Sequence, residues 1–176
     1  MSHSIPNRTV TLLMGSTRPH GSTRTLLDEA ARALTARGIA TETIVPDNLS
    51  FCDCRGCHGC RGTGDGRCIV DDDMQGVYRA MESSQGIIVA APVYFGYVPA
   101  MTKAWLDRLV KYLGPGLMPR FPSYCPVSFI FVQNVPDPKA FAIPLRWFMD
   151  SVAMTGLAVQ DCLIAPDCEA GEKTPA

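Results

Sequence analysis

Short apolar runs alternate along this chain with stretches whose apolar positions recur every three or four residues. The first run, "TVTLLMGS" (9–16), carries β-branched residues and ends at glycine, which predicts a buried strand. In "STRTLLDEAARALTARG" (22–38), Leu26, Leu27, Ala30, Ala31, Ala33 and Leu34 mark one helical face. A Ser/Thr cap is expected to open that helix and Gly38 to close it. "IATETIV" (39–45) alternates apolar and polar residues as a strand does. Beyond a cysteine-rich segment, "DDDMQGVYRAMESS" (71–84) predicts a helix whose acidic start suits the macrodipole. Four elements follow: a strand in "GIIVAAPVY" (86–94), an amphipathic helix over 99–113 with proline in its first turn, a strand in "PVSFIFVQ" (126–133), and a helix over 138–156, broken near Pro144. "LAVQDCLIA" (157–165) predicts the last strand, and the polar tail after it is expected to be loosely held.

The expected order is therefore β-α-β, the cysteine loop, then α-β-α-β-α-β. Strands alternating with helices call for a parallel sheet covered on both faces, a three-layer α/β/α arrangement. Five such strands suit the doubly wound, flavodoxin-like order 2-1-3-4-5. Ligands in that fold bind beyond the carboxyl ends of the strands, at the switch point between the first and third. No repeat or linker interrupts the chain, so residues 1–176 are expected to form a single domain, with a cysteine-rich insertion at about 50–70.

Composition narrows the function. Of 176 residues, 47% are hydrophobic and 19% charged, and the net charge is −1, so a core is affordable and no electrostatic case exists for nucleic acid or a membrane surface. The N-terminal stretch lacks a charged segment followed by an apolar run and cleavage site, and no apolar run is long enough to span a bilayer. A cytoplasmic protein is expected. Disulfides are rare there, so clustered cysteines point to metal or redox chemistry.

Two loops carry candidate chemistry. "GSTRPHGST" (15–23) supplies the hydroxyls of Ser16, Thr17, Ser22 and Thr23 and the cation of Arg18, with Gly15 and Gly21 at its turns, and it runs into a helix N-terminus. Those are the parts of a phosphate cradle, although a capped helix after a glycine turn has the same pattern. His20 lies in the same loop. Neither the P-loop ending nor G-x-G-x-x-G is present. After the third strand, Pro92, Val93, Tyr94, Phe95 and Gly96 offer a rigid turn, two aromatics and exposed backbone, suited to a flat ring with polar edges. Cradle and platform on neighbouring loops fit one ligand, flavin mononucleotide. With three histidines and no Ser-His-Asp pattern, no catalytic side chain is assigned.

"GSTRPHGST" resembles the Gly-Ser-x-Arg-x-x-Gly-Asn-Thr phosphate loop of the NADPH-dependent FMN reductase-like flavoproteins, and "APVYFGYVPAMTKAWLDR" resembles their isoalloxazine loop and the helix after it. The likeness is strongest over about 9–112. It implies that Ser16, Arg18, Gly21, Ser22 and Thr23 hold the FMN phosphate and that Pro92, Val93, Tyr94, Phe95 and Gly96 line the ring. Ser22 stands where asparagine is usual and Ala91 where serine is. The segment after the fourth strand lacks the usual glycines and offers Gln133 and Asn134 instead. The iron-sulfur branch of the family carries C-x2-C-x2-C-x4–7-C between the second strand and second helix, and Cys54, Cys57, Cys60 and Cys68 give C-x2-C-x2-C-x7-C at that place.

Three cysteines at two-residue intervals can wrap a four-iron four-sulfur cluster, with the fourth arriving from a nearby turn. Gly56, Gly59 and Gly62 ease the turning, and Arg55, Arg61 and Arg67 would offset thiolate charge. Zinc usually takes two short knuckles across a longer gap, which fits less well. Reduced thiols or a Cys-x-x-Cys disulfide form the third reading. Cys52 is a spare, His58 an exposed loop residue, and Cys162 a buried small hydrophobe. The expected protein is an FMN-dependent, electron-transferring iron-sulfur flavoprotein. Its partner is a small redox molecule or NAD(P)H acting as a transient donor, and it assembles as a homodimer or homotetramer through Tyr94–Tyr97 and the helix carrying Trp105. A cluster-free NAD(P)H-dependent FMN or quinone reductase is the first alternative. A zinc- or ligand-binding module without turnover is the second.

Overall fold

A computed structural model describes residues 9–62 and 64–168. The expectation for the polar tail falls largely on residues outside that range. Five strands, β1 (Thr9–Met14), β2 (Ala40–Ile44), β3 (Ile87–Pro92), β4 (Pro126–Val132) and β5 (Ala158–Ala165), form one sheet in the order β2-β1-β3-β4-β5, every neighbouring pair parallel. This is the expected doubly wound order.

The two-residue period of a strand explains how the sheet is buried. Leu12 and Met14 of β1 point to one face, where they meet Ala90, Ile130, Val132 and Leu27 of helix α1 (Ser22–Thr35). Leu13, Val89, Phe129 and Phe131 point to the other. There they pack against Met74, Val77 and Met81 of α3 (Met74–Ser83), Trp105 of α4 (Ala100–Arg108), and Leu145 and Phe148 of α5 (Ala142–Ala153). A single helical turn, α2 (Gly59–Gly62), lies inside the cysteine loop. With both faces covered, the central strands read as unbroken apolar runs, which is why the sequence shows them clearly. β5 is an edge strand, and its middle residues are exposed.

Several expectations need correction. Pro144 does not break α5. It stands in the first turn, where a backbone N–H has no intrahelical partner to lose, so the helix begins there. The helix predicted over 99–113 is α-helical to Arg108 and tightens into a 3₁₀ turn over Leu109–Tyr112. Cys162 lies on the edge strand and is exposed. The helix carrying Trp105 turns most of its length inward, and Trp105 itself is 1% exposed, so it offers little surface for assembly. Among the described residues no helix is long and apolar enough to cross a membrane.

Candidate functional site

Parallel strands bring the loops after β1, β3 and β4 to one edge of the sheet. At the first, the Gly15 N–H donates to the Ala90 carbonyl at 2.7 Å and fastens the loop to β3. A Cβ on Gly15 would overlap Thr102 Oγ1 and stand 3.0 Å from the Ala91 Cβ and 3.1 Å from the Ala90 oxygen. Close approach, not a left-handed turn, is what requires glycine there. Ser16 is buried, and its hydroxyl accepts from the Arg18 N–H at 3.3 Å, curling the loop toward α1. The expected Ser/Thr cap is absent: the N-cap is Gly21, which brings no side chain to the helix start. The first N–H groups of α1 therefore have no side-chain cap, and the residues beside them open onto a cavity of about 520 Å³.

That cavity gathers most of the residues expected to hold a flavin nucleotide. Ser16, Arg18, Gly21, Ser22 and Thr23 line one side, with His20 beside them. Pro92, Val93, Tyr94 and Phe95 line the other. Gly96 is not among the lining residues. It shares a two-residue turn with Phe95, φ 53° and 83°, closed by hydrogen bonds in both directions between Tyr94 and Tyr97. Those two positive angles are the signature of a type I′ turn, and the turn holds Tyr94 and Phe95 out at the cavity mouth, exposed. Val132, Gln133 and Asn134 close the third side. Gln133 is buried; its side-chain N–H donates to the carbonyls of Val135 and Asp137, while its Oε1 has no partner. Cys168 also lines the cavity, which the sequence does not signal. It arrives because its N–H donates to the Gln133 carbonyl at 2.9 Å. An uncapped helix start, an adjacent guanidinium, a buried amide oxygen awaiting a donor and an aromatic mouth suit a phosphate-bearing ligand with a flat polar-edged ring. The volume falls in the usual range for such sites.

A second cavity, about 60 Å³, is lined by Cys54, Cys57, Cys60 and Cys68 together with Arg55, His58 and Arg61. It shares no lining residue with the first. Cys52 does not line it; its carbonyl accepts from Arg108 instead. None of the eight cysteines is in a disulfide. Among the described residues, no three His, Cys, Asp or Glu side chains converge closely enough for one metal ion. A single zinc needs sulfurs roughly 4 Å apart, given Zn–S bonds of about 2.3 Å. A four-iron cubane needs four thiolates, each on a different iron, and four thiols line this cavity. Burial pushes the Cys60 thiol up, nearby Cys68 and Cys54 push it further, and Arg120 opposes them.

The loop is pinned from outside. Gln75 donates to the carbonyls of Cys68 (3.1 Å) and Val70 (2.6 Å), and Arg120 donates to the Cys60 carbonyl at 2.8 Å. Arg67, expected to offset thiolate charge, lines a neighbouring cavity; Arg108 and Lys111 line this one. Arg108 is 2% exposed and bound by both guanidinium nitrogens to Asp72, at 2.5 and 3.0 Å. Burial pulls its pKa down, but the hydrogen bonds it donates to Asp72, together with the influence of Tyr78 and Cys68, outweigh that and hold it above the ordinary value. Removing one partner of such a pair costs about 3–5 kcal/mol. Asp72, expected only as part of the acidic start of a helix, has this second role while also accepting the Met74 N–H.

A family model described as NADPH-dependent FMN reductase matches residues 8–120. An iron-sulfur flavoprotein of Methanosarcina thermophila is 38% identical over 101 residues, 57% of this chain and 52% of that protein. Another, of Methanocaldococcus jannaschii, is 38% identical over 96 residues, covering 54% and 49%. The chain thus spans about half the length of the curated relatives it matches. Among solved structures, an NAD(P)H:quinone oxidoreductase from Methanothermobacter marburgensis superposes with a TM-score of 0.73 at 13% identity, over 94% of this chain and 90% of that one. This shows a shared fold.

Proposed function

The chain belongs to the NADPH-dependent FMN reductase family, and from that premise we propose that it is an FMN-dependent oxidoreductase carrying a four-iron four-sulfur cluster on Cys54, Cys57, Cys60 and Cys68. The observation that carries this reading is the pair of separate cavities, one suited to a phosphate and a flat ring, the other walled by four thiols. Relatives named iron-sulfur flavoproteins support the second cofactor.

FMN can accept an electron pair as hydride or electrons singly, and a cluster passes them singly, so holding both would couple a two-electron donor to a one-electron acceptor. NAD(P)H fits the donor, and a small redox molecule the acceptor. The chain's own residues bind and orient. Ser16, Arg18, Ser22 and Thr23 with the α1 N-terminus hold the phosphate. Pro92, Val93, Tyr94 and Phe95 lie along the ring. Gly96 acts indirectly, by allowing the turn that presents Phe95. Gln133 Oε1 can accept from an N–H at the ring edge.

Arg18→Ala tests the phosphate site. A charge-assisted contact contributes about 1.5–3 kcal/mol, so FMN affinity should fall by about one to two orders of magnitude in a fluorescence titration. An unchanged affinity would move the phosphate elsewhere. An absorbance spectrum with iron, sulfide and zinc analysis on anaerobically purified protein tests the cluster. Flavin bands without iron would favour the cluster-free reductase, and zinc in place of iron the zinc-binding module. Exposed Tyr94 and Phe95 support a symmetric homodimer or homotetramer that covers them. Sedimentation at micromolar concentration checks this, and a monomer with FMN bound would count against it.

A further inference from the structure

The guanidinium of Arg108 does more than neutralise Asp72. Its Nη1 donates to Asp72 Oδ2 and to the Cys52 carbonyl at 3.1 Å, and its Nη2 donates to Asp72 Oδ1 and lies 3.6 Å from the Cys68 sulfur. The Arg108 backbone carbonyl accepts from the buried Tyr78 hydroxyl at 3.0 Å, so the base of the side chain is fixed as well. Both terminal nitrogens of the planar fork are therefore engaged. A side chain at 2% exposure held this way is a preorganised cation, aimed at one of the four thiols.

We propose that Arg108, oriented by Asp72, is a positioning residue that sets the reduction potential of the cluster through an N–H···S hydrogen bond to Cys68. The inference rests on the cluster reading given above. Hydrogen bonds and charge near the sulfurs govern cluster potentials. Reduction adds one electron to a group already carrying net negative charge, and a fixed cation against a ligand sulfur stabilises the reduced form more than the oxidised form. Low dielectric around a buried guanidinium enlarges that difference. Lys111 and Arg55 also line the cavity, but Lys111 is turned toward Glu82, 2.7 Å from its carboxylate. Arg61 lines it too, but among the described residues Arg108 is the cation with an N–H within hydrogen-bond distance of a cysteine sulfur. Asp72 keeps the guanidinium in place.

The test is an anaerobic redox titration of the purified protein, read from the cluster and flavin bands separately, with iron, sulfide and FMN counted for each variant. Arg108→Gln removes the charge and should lower the cluster midpoint, reducing the reduced-to-oxidised ratio at fixed potential about tenfold, which is about 59 mV for one electron. Arg108→Lys keeps a charge but loses the fork, and its midpoint should fall between the two. FMN content and the flavin midpoint should not change, because the two cavities share no residue. Should Arg108→Gln fail to fold because Asp72 is left unpaired, Arg108→Lys and the double variant Arg108→Gln with Asp72→Asn carry the same expectation of a lowered midpoint. Cluster-bearing variants with the wild-type midpoint overturn the role of Arg108 and leave the cluster standing. Wild-type protein without iron and sulfide overturns both.

Discussion

Alanine in place of any one of Cys54, Cys57, Cys60 or Cys68 is expected to strip or convert the cluster, while Cys52→Ala leaves iron and sulfide near wild type. The four act as a set because they wall one cavity of about 60 Å³ and Cys52 does not. Each would supply a thiolate to a different iron, so losing one leaves an iron without its protein ligand. The surroundings cannot easily compensate: Gln75 and Arg120 hold the Cys68 and Cys60 carbonyls, so the loop does not slide to bring Cys52 into register. FMN content should survive all five replacements, since no residue is shared between the cavities. Iron, sulfide and flavin analysis on anaerobic protein decides it. If Cys52→Ala alone abolished iron, the register would be wrong. Full iron in all five variants would sink the cluster assignment.

The second large effect belongs to a residue with no chemistry of its own. Gly15→Ala should destabilise the protein by about 1–3 kcal/mol, the usual cost of overpacking a filled core. For a domain of this size that lowers Tm by about 2–12 °C. The added methyl meets the Ala90 carbonyl and Ala91 Cβ, which belong to β3 and cannot move, and the hydroxyl of Thr102, which is fully buried and has no hydrogen-bond partner. Since Gly15 leads directly into the phosphate loop, FMN affinity should fall along with Tm. Thr102→Ala removes the worst overlap at small cost, so adding it to Gly15→Ala should recover part of both losses. A double variant no better than Gly15→Ala would mean that the β3 backbone, not Thr102, sets the limit. A Gly15→Ala protein with wild-type Tm and affinity would refute the packing argument.

The cysteine spacing and the two loop motifs were legible because each is a local pattern. Cys54, Cys57, Cys60 and Cys68 lie within one short segment, and the phosphate and ring loops each follow a strand whose apolar run is hard to mistake. Arg108 was not legible as part of the cysteine site. In sequence it is an ordinary arginine near a helix end, and only its spacing of three from buried Trp105 hints that it points inward. Cys168 was hidden for a similar reason: it reaches the cavity through one backbone hydrogen bond to Gln133, a pairing that no period records. The expected Ser/Thr cap on α1 and the break at Pro144 failed on placement by one or two residues, where strong signals still leave helix ends free.

By itself the sequence determined the element types and the parallel, doubly covered sheet, because strand and helix periods are properties of neighbouring residues and burial on both faces writes itself as continuous apolar runs. It also singled out the residues proposed for cofactor chemistry, because those stand in contiguous loops. Only the tertiary structure decided that the two sites are separate cavities, that a buried Arg108–Asp72 pair faces Cys68, and that Gly15 must be glycine to pass β3 and Thr102. Those facts depend on contacts between residues tens of positions apart, set by packing density and by where a buried charge finds its partner.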